Sequence, residues 1–211
     1  MSESLRRGHQ VVAVCRDASV YKLEAFANRA GFTAAAAPLV SDEAMLARAL
    51  ESCDAVAAVL ITVRDLKATE LVASLAKAAA ANEVKRLVFT AGEVTAMPEE
   101  GETVTPRQRF LYALGRVISW VSPYSITNMV KASVLVREQT DWEWTVVRAP
   151  ALRETPAAGY RFCALSEISS KHFLSRKDYA ACLLDSMRNT DHHRRMLTVV
   201  SVILLPYGVV P

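Results

Sequence analysis

Apolar residues along this chain fall into short unbroken runs, separated by stretches in which apolar positions recur every three or four residues. Val11–Cys15, Ala55–Ile61, Arg86–Thr90 and Glu143–Val147 read as strands, and the continuous apolar run Val11–Cys15 as one covered on both faces. Thr33–Val40 reads as a weaker strand, because Ala34 to Ala37 carry little β preference. Between these runs, Tyr21–Ala30 places Leu23, Phe26 and Ala27 at helical spacing, with Gly31 as its C-terminal cap. Ser41 is the expected cap of a helix with the apolar face Met45, Leu46, Ala49 and Leu50. Leu66–Ala81, Phe110–Trp120, Ile126–Gln139 and Ser175–Met187 also read as helices, and Leu183, Leu184 and Met187 point inward on the last. Residues 97–106 are acidic and broken by Pro98, Gly101 and Pro106, which predicts a loop. Leu197–Leu205 is one long apolar run closed by Pro206. Strands alternating with helices at this spacing imply parallel βαβ units, and so one doubly wound α/β domain over residues 1–211.

Composition narrows the partners. Of the 211 residues, 52% are hydrophobic and 22% charged, and the net charge is +3 with the signs interspersed. No Lys/Arg block predicts nucleic-acid or membrane binding, which leaves a small molecule as the expected partner. The chain shows no charged-then-apolar leader and no run near the ~18 apolar residues of a spanning helix. Cys15, Cys53, Cys163 and Cys182 are scattered without metal spacing, as expected of reduced thiols in a cytoplasmic protein. Oligomeric state leaves no mark in the pattern.

Open parallel sheets bind ligands beyond the carboxyl ends of their strands. The residues there are Arg16, Thr62 to Asp65, Thr90 to Glu93, and Arg148 to Pro150. Arg16 has two readings: a guanidinium that forks onto the 2′-phosphate of NADP, or a solvated arginine at a strand end. Thr90 and Gly92 either let backbone and hydroxyl approach a nicotinamide or cap a turn, and Arg64 and Asp65 either face the ligand or start the next helix. Acid–base candidates are few. A Tyr four residues before a Lys on one helix would supply a proton donor, but Thr127 holds that place before Lys131, and Tyr124 is seven residues away. His9, His172, His192 and His193 form no metal spacing, and Ser41 and Ser175 read as helix caps rather than nucleophiles.

The segments "RRGHQVVAVCRD", "DAVAAVLITVRD", "VKRLVFTAGE", "DWEWTVVRAPALRETPAAGYRF" and "LSRKDYAACLLDSM", in this order, resemble the atypical short-chain dehydrogenase group. The similarity is to its NAD(P)H-binding, NmrA-like branch, which includes the flavin reductase/biliverdin-IXβ reductase type, and it spans about residues 5 to 200. The resemblance implies a Rossmann-like fold with NADP(H) along the strand ends. It implies Arg16 at the 2′-phosphate, Thr62 to Asp65, including Arg64, beneath the cofactor, Thr90 and Gly92 beside the nicotinamide, and Arg148 and Pro150 closing over it. It implies direct hydride transfer to a planar organic substrate, which needs little acid–base machinery.

The chain departs from that group at its start. The usual first strand and G-x-x-G-x-x-G turn, which seat a pyrophosphate on a helix N-terminus, have no counterpart before Val11, and the seven glycines are scattered. Pro38 and Leu39 stand where the group has Gly-Asp. NADP(H) affinity is therefore expected to be weakened or lost. The alternatives are a cofactor-free lyase, isomerase or cyclase, a ligand sensor reusing the cleft, an incomplete version of a longer chain, or an inactive product. In the group's strand order 3-2-1-4-5 the absent strand is central. Unpaired buried backbone costs ~1–3 kcal/mol per group, so the slot is expected to be filled, with Leu197–Leu205 as the candidate, or closed by direct strand pairing.

Overall fold

Alternation along one strand explains how the sheet is buried. In β4 (Arg86–Gly92), Leu87 and Phe89 enter an apolar cluster on one face while Val88 enters another on the opposite face. In β5 (Glu143–Ala149), Val146 and Val147 divide in the same way. A strand covered on both faces is apolar on both sides of its middle, as Leu87–Phe89 and Val146–Val147 are, while its polar residues need buried partners. The computed structural model describes residues 1–60, 67–96, 101–118 and 125–203. Its main sheet has five strands in the order β3 (Ala55–Val59), β4, β5, β9 (Arg195–Ser201) and β7 (Tyr160–Cys163). All neighbours are parallel except β7, which runs antiparallel to β9. β1 (Val11–Arg16) and β2 (Phe32–Ala37) form a separate parallel pair, and β6 (Ala151–Arg153) pairs with β8 (Phe173–Ser175).

The helices lie on both faces of the sheet. α2 (Glu43–Leu50), α3 (Ala68–Ala81) and α5 (Ile126–Arg137) supply Leu46, Leu50, Leu71, Val72, Leu75, Ala132 and Val136 to the first cluster. Trp142 and Trp144 join that cluster, with Trp142 stacked on Phe89 at 5.9 Å. α6 (Arg176–Arg188) covers the second face through Tyr179 and Cys182. Burial pushes the Cys182 thiol up to about 12, so it stays a protonated core residue.

The predicted α/β alternation is present, with local differences. The segment after β1 is a 3₁₀ helix, Asp17–Phe26, rather than an α-helix, and Gly31 takes a left-handed turn (φ +77°) into β2. β2 stops at Ala37, just before Pro38, which lacks the N–H a ladder needs. Asp42, not Ser41, caps α2, accepting from the Met45 N–H at 2.7 Å; a carboxylate also complements the helix dipole. The expected filling of the central slot by Leu197–Leu205 is overturned. Residues up to Ser201 form β9, held between β5 and β7 on the far side of the sheet, while Leu204 and Leu205 lie outside the described residues. Among the described residues no backbone hydrogen bond joins β1 to β3.

α1 (Ser2–Arg6) leads through Gly8 (φ +80°) into β1 and is tied to α6. Arg7 bridges Glu3 at 2.8 Å and Asp185 at 2.5 Å, and Asp185 also accepts from the Tyr160 hydroxyl. Hydrogen bonds from Arg6 and Arg7 hold the Glu3 carboxyl down at about 2. A carboxylate depressed in the folded state stabilises above its unfolded pKa and ceases to do so as pH falls through the folded value. The Glu3 pairs that hold α1 together should therefore weaken between pH ~4.5 and ~2, and Arg6→Gln combined with Arg7→Gln should flatten that part of a stability–pH profile recorded by urea unfolding.

The amino ends of the strands are closed by Arg86, which is buried and donates to the backbone oxygens of Met187, Ser186 and Glu143 and to the Thr145 hydroxyl. Removing it leaves several buried acceptors without a donor. Arg86→Met should lower the unfolding free energy by about 3 kcal/mol, read as a lower urea midpoint at an unchanged m-value.

Candidate functional site

The register of β4 against β5 brings the expected ligand-facing residues together. Thr90 lies opposite Val147, Ala91 opposite Arg148, and Gly92 opposite Ala149, with Pro150 at the bend that follows. Thr90, Gly92, Arg148 and Pro150 thus share one end of two adjacent strands. Arg16 is set apart from them as the last residue of β1. It is half-buried and has no hydrogen bond or ion pair among the described residues. Thr62 and Arg64 lie outside the described residues.

Arg148 is positioned differently from the expectation. Its side chain is 2% exposed, and its guanidinium forks onto the Glu102 carboxylate, with one arm at 2.7 Å. The same Nη1 donates to the Thr95 carbonyl at 3.2 Å, while Nε has no partner among the described residues. The side chain expected to close over a cofactor therefore holds a loop. Thr95 in turn donates through its N–H and hydroxyl to the Gly92 carbonyl, at 3.1 and 2.6 Å, so the turn after β4 is pinned to the tip of β5. The Glu93 N–H extends the ladder to the Ala149 carbonyl, and its carboxylate forks onto Arg107 at 2.9 and 3.1 Å.

That loop runs into α4 (Pro106–Ile118), which starts four residues before the expected Phe110. Its start is a reciprocal cap: the Gln108 N–H donates to the Thr105 hydroxyl, and the Thr105 N–H donates to the Gln108 side-chain oxygen. Gln108 is also buried, and its amide donates to the Leu165 carbonyl at 2.6 Å. "TPRQ" carries this signal in plain form, a Thr at the cap, Pro at the first helical place and Gln three residues after the cap.

Tyr179 was not among the sequence candidates. Its buried hydroxyl reaches across from α6 and donates to the Val147 carbonyl at 2.7 Å. Burial raises the phenol well above its ordinary range, opposed only in part by the Ala91 backbone and the Thr90 side chain beside it. The Thr90 hydroxyl thus meets a protonated phenol. Ser175 caps α6 as expected, accepting from the Asp178 N–H at 2.9 Å, and Asp178 accepts from the N–H groups of Ala158 and Gly159. His172 accepts at Nδ1 from the Ser169 N–H at 3.0 Å, which leaves the proton on Nε2, and burial lowers its pKa. Among the described residues no group of His, Cys, Asp and Glu could hold a metal ion. Among the described residues the strand ends therefore offer fixed hydrogen-bonding groups and, at Arg16, a guanidinium without a partner.

The profile of the NAD(P)H-binding family matches residues 1–190. The chain belongs to that family. No curated protein matches it. Among solved structures, a short-chain dehydrogenase/reductase from Veillonella parvula in complex with NADP is 14% identical with a TM-score of 0.71, over 94% of this chain and 86% of that one. The anaerobillin reductase ChuY from Escherichia coli O157:H7 is 13% identical with a TM-score of 0.71, over 97% of this chain and 91% of that one. The oxidoreductase ylbE from Lactococcus lactis is 16% identical with a TM-score of 0.61, over 91% of this chain and 80% of that one. At these identities the likeness establishes the Rossmann-like fold, and the NAD(P)H-binding assignment rests on the family profile.

In this NAD(P)H-binding family member the Arg148–Glu102 pair is testable directly. Removing one partner of a buried pair strands the other charge, whereas replacing both with apolar groups does not. Glu102→Leu should destabilise by about 3 kcal/mol, and Arg148→Met combined with Glu102→Leu should recover most of it, as read from urea unfolding in a double-mutant cycle.

Proposed function

We propose that the protein is an NADP(H)-dependent oxidoreductase acting in the cytoplasm on a planar small organic substrate. The observation that carries the reading is Arg16, a guanidinium at the carboxyl end of a parallel strand with no partner among the described residues, in a chain of the NAD(P)H-binding family. An unpaired fork at that place suits the 2′-phosphate that distinguishes NADPH from NADH. When bound, the cofactor supplies the hydride. The chain's own part is to orient and to exclude water: Thr90 and Gly92 line the tip of β4, Pro150 turns the chain beyond β5, and Tyr179 fixes the Val147 carbonyl between them. Thr62 and Arg64 are assigned to the same site by their place in the sequence after β3. The cytoplasmic reading is supported by four free cysteines, and among the described residues no helix is long and apolar enough to cross a membrane.

A second reading, a cofactor-free enzyme or ligand sensor in the same cleft, is favoured by one observation. The glycines that would let a pyrophosphate approach the backbone are not spaced as G-x-x-G-x-x-G. Calorimetric titration separates the readings. The wild type should bind NADPH more tightly than NADH, and Arg16→Ala should weaken NADPH about tenfold while leaving NADH unchanged. Equal losses for both nucleotides would remove Arg16 from the site. No NADPH binding by a protein with a folded circular dichroism spectrum would sink the oxidoreductase reading in favour of the second.

A further inference from the structure

One helix of this fold is turned inside out. Of the 13 residues of α4 only Gln108 is buried, and its amide is bonded to the Leu165 carbonyl. Gly115, two turns further along the same side, lies against Ile126 of α5, and a Cβ there would come within 1.9 Å of the isoleucine. The inward side is thus made of a glutamine and a glycine. The outward side carries Phe110, Leu114, Val117 and Ile118, exposed at 65%, 41%, 68% and 46%. Their spacing places them in one stripe along the helix. A helix that packs only on its own domain buries its apolar stripe, and this one presents it to the outside.

The charge beside the stripe has one sign. Arg109 and Arg116 run along one flank of it, both exposed, and neither has a hydrogen bond or ion pair among the described residues. From Thr103 to Arg137 the sequence has the cations Arg107, Arg109, Arg116, Lys131 and Arg137 and no Asp or Glu, although the whole chain has 22 acidic residues. An antiparallel pair of such helices from two copies would bring both arginine rows onto one seam, and like charges there oppose the pairing. A groove on a protein partner encloses most of a helix, but the Gln108–Gly115 side of α4 is already taken by its own domain. A lipid surface needs one side only, and anionic headgroups complement the arginines.

We propose that α4 is a peripheral membrane contact, in which Phe110, Leu114, Val117 and Ile118 enter the headgroup–acyl boundary of an anionic lipid surface and Arg109 and Arg116 meet its phosphates from the flank. Arginine suits that place, because its apolar stem lies along the stripe while the guanidinium forks onto phosphate oxygens. From Phe110 to Ile118 the stripe is about 12 Å long, too short to cross a bilayer, so the helix lies in the plane of the surface and the contact is weak and reversible. The sequence expectation of no membrane partner rested on the lack of a Lys/Arg block. The signal here is the lack of acid, beside a stripe that only the fold shows to be exposed. The contact belongs to α4 alone and holds whether or not a nucleotide binds.

The test is co-sedimentation of the full chain with vesicles of phosphatidylcholine alone and of an equal mixture of phosphatidylcholine and phosphatidylserine. The wild type should bind the anionic vesicles about tenfold more tightly than the neutral ones, and high salt should remove most of that difference. Phe110→Ser combined with Val117→Ser should weaken binding to the anionic vesicles about tenfold or more. Arg109→Gln combined with Arg116→Gln should weaken it about tenfold and leave binding to the neutral vesicles unchanged. All four substituted residues are exposed, so the urea midpoint of each variant should match that of the wild type. No binding to either vesicle overturns the proposal, as does binding that both double variants leave unaltered. In the absence of vesicle binding, a dimer in sedimentation velocity that Phe110→Ser with Val117→Ser dissolves would give the stripe to a second copy, and binding of an acidic amphipathic peptide would give it to a protein partner; either result overturns the lipid assignment.

Discussion

Everything in this structure hangs on the parallel ladder between β4 and β5. Backbone N–H and C=O groups buried between two helical layers must be paired, and most of them are paired within the sheet. The seven-residue register from Arg86↔Glu143 to Gly92↔Ala149 meets that demand over the full depth of the layer. It also fixes what stands at either end. Arg86 is delivered to the amino ends and Arg148 to the carboxyl ends, both buried and both multiply bonded.

These two arginines do different things because of what surrounds them. Arg86 gives its guanidinium to backbone carbonyls and one hydroxyl, which closes the strand ends as a cap would. Arg148 gives its fork to a carboxylate and leaves Nε without a partner among the described residues. A neutral carbonyl set is permanent architecture. A carboxylate brought in by a loop is held by charge, and Glu102 so held lies four residues before the start of α4. The carboxyl ends are thus where segments of irregular backbone meet, as a binding site in this fold requires.

Periodicity made the strands and most helices legible, because short apolar runs between helical stretches are distinctive: "AVAAV", "RLVFTAG" and "EWTVVRA" become β3, β4 and β5 with small changes of boundary. What it could not show were features decided by one contact. Arg148 reads as a ligand-facing cation at a strand end, and only the position of Glu102, 46 residues earlier, turns it inward. Tyr179 looks like one more apolar position of α6 until the fold carries its hydroxyl to Val147. The Thr105–Gln108 cap was present in the sequence and was hidden by the prolines and glycine around it, which read as a loop. The apolar run from Leu197 had two possible places in the sheet, and composition does not choose between them; pairing with β5 and β7 does.

Among the described residues the outer edges of β1 and β3 have no strand partner, which bears on the cofactor as much as on the sheet. Arg16 ends one of those edges, and Thr90 lies opposite Val59, the last residue of the other. A dinucleotide that used both would have to cross the opening between them, and its charged middle would then lie over backbone groups that have no strand partner among the described residues. Those groups include N–H donors, which attract phosphate, and carbonyls, which repel it, in equal number along an extended strand. A helix N-terminus or a nest of glycines offers donors without acceptors, and that asymmetry is what makes an anion site. An open strand edge lacks it. If Arg16 takes the 2′-phosphate as proposed, the strand edges beside it add no anion site of their own to that contact.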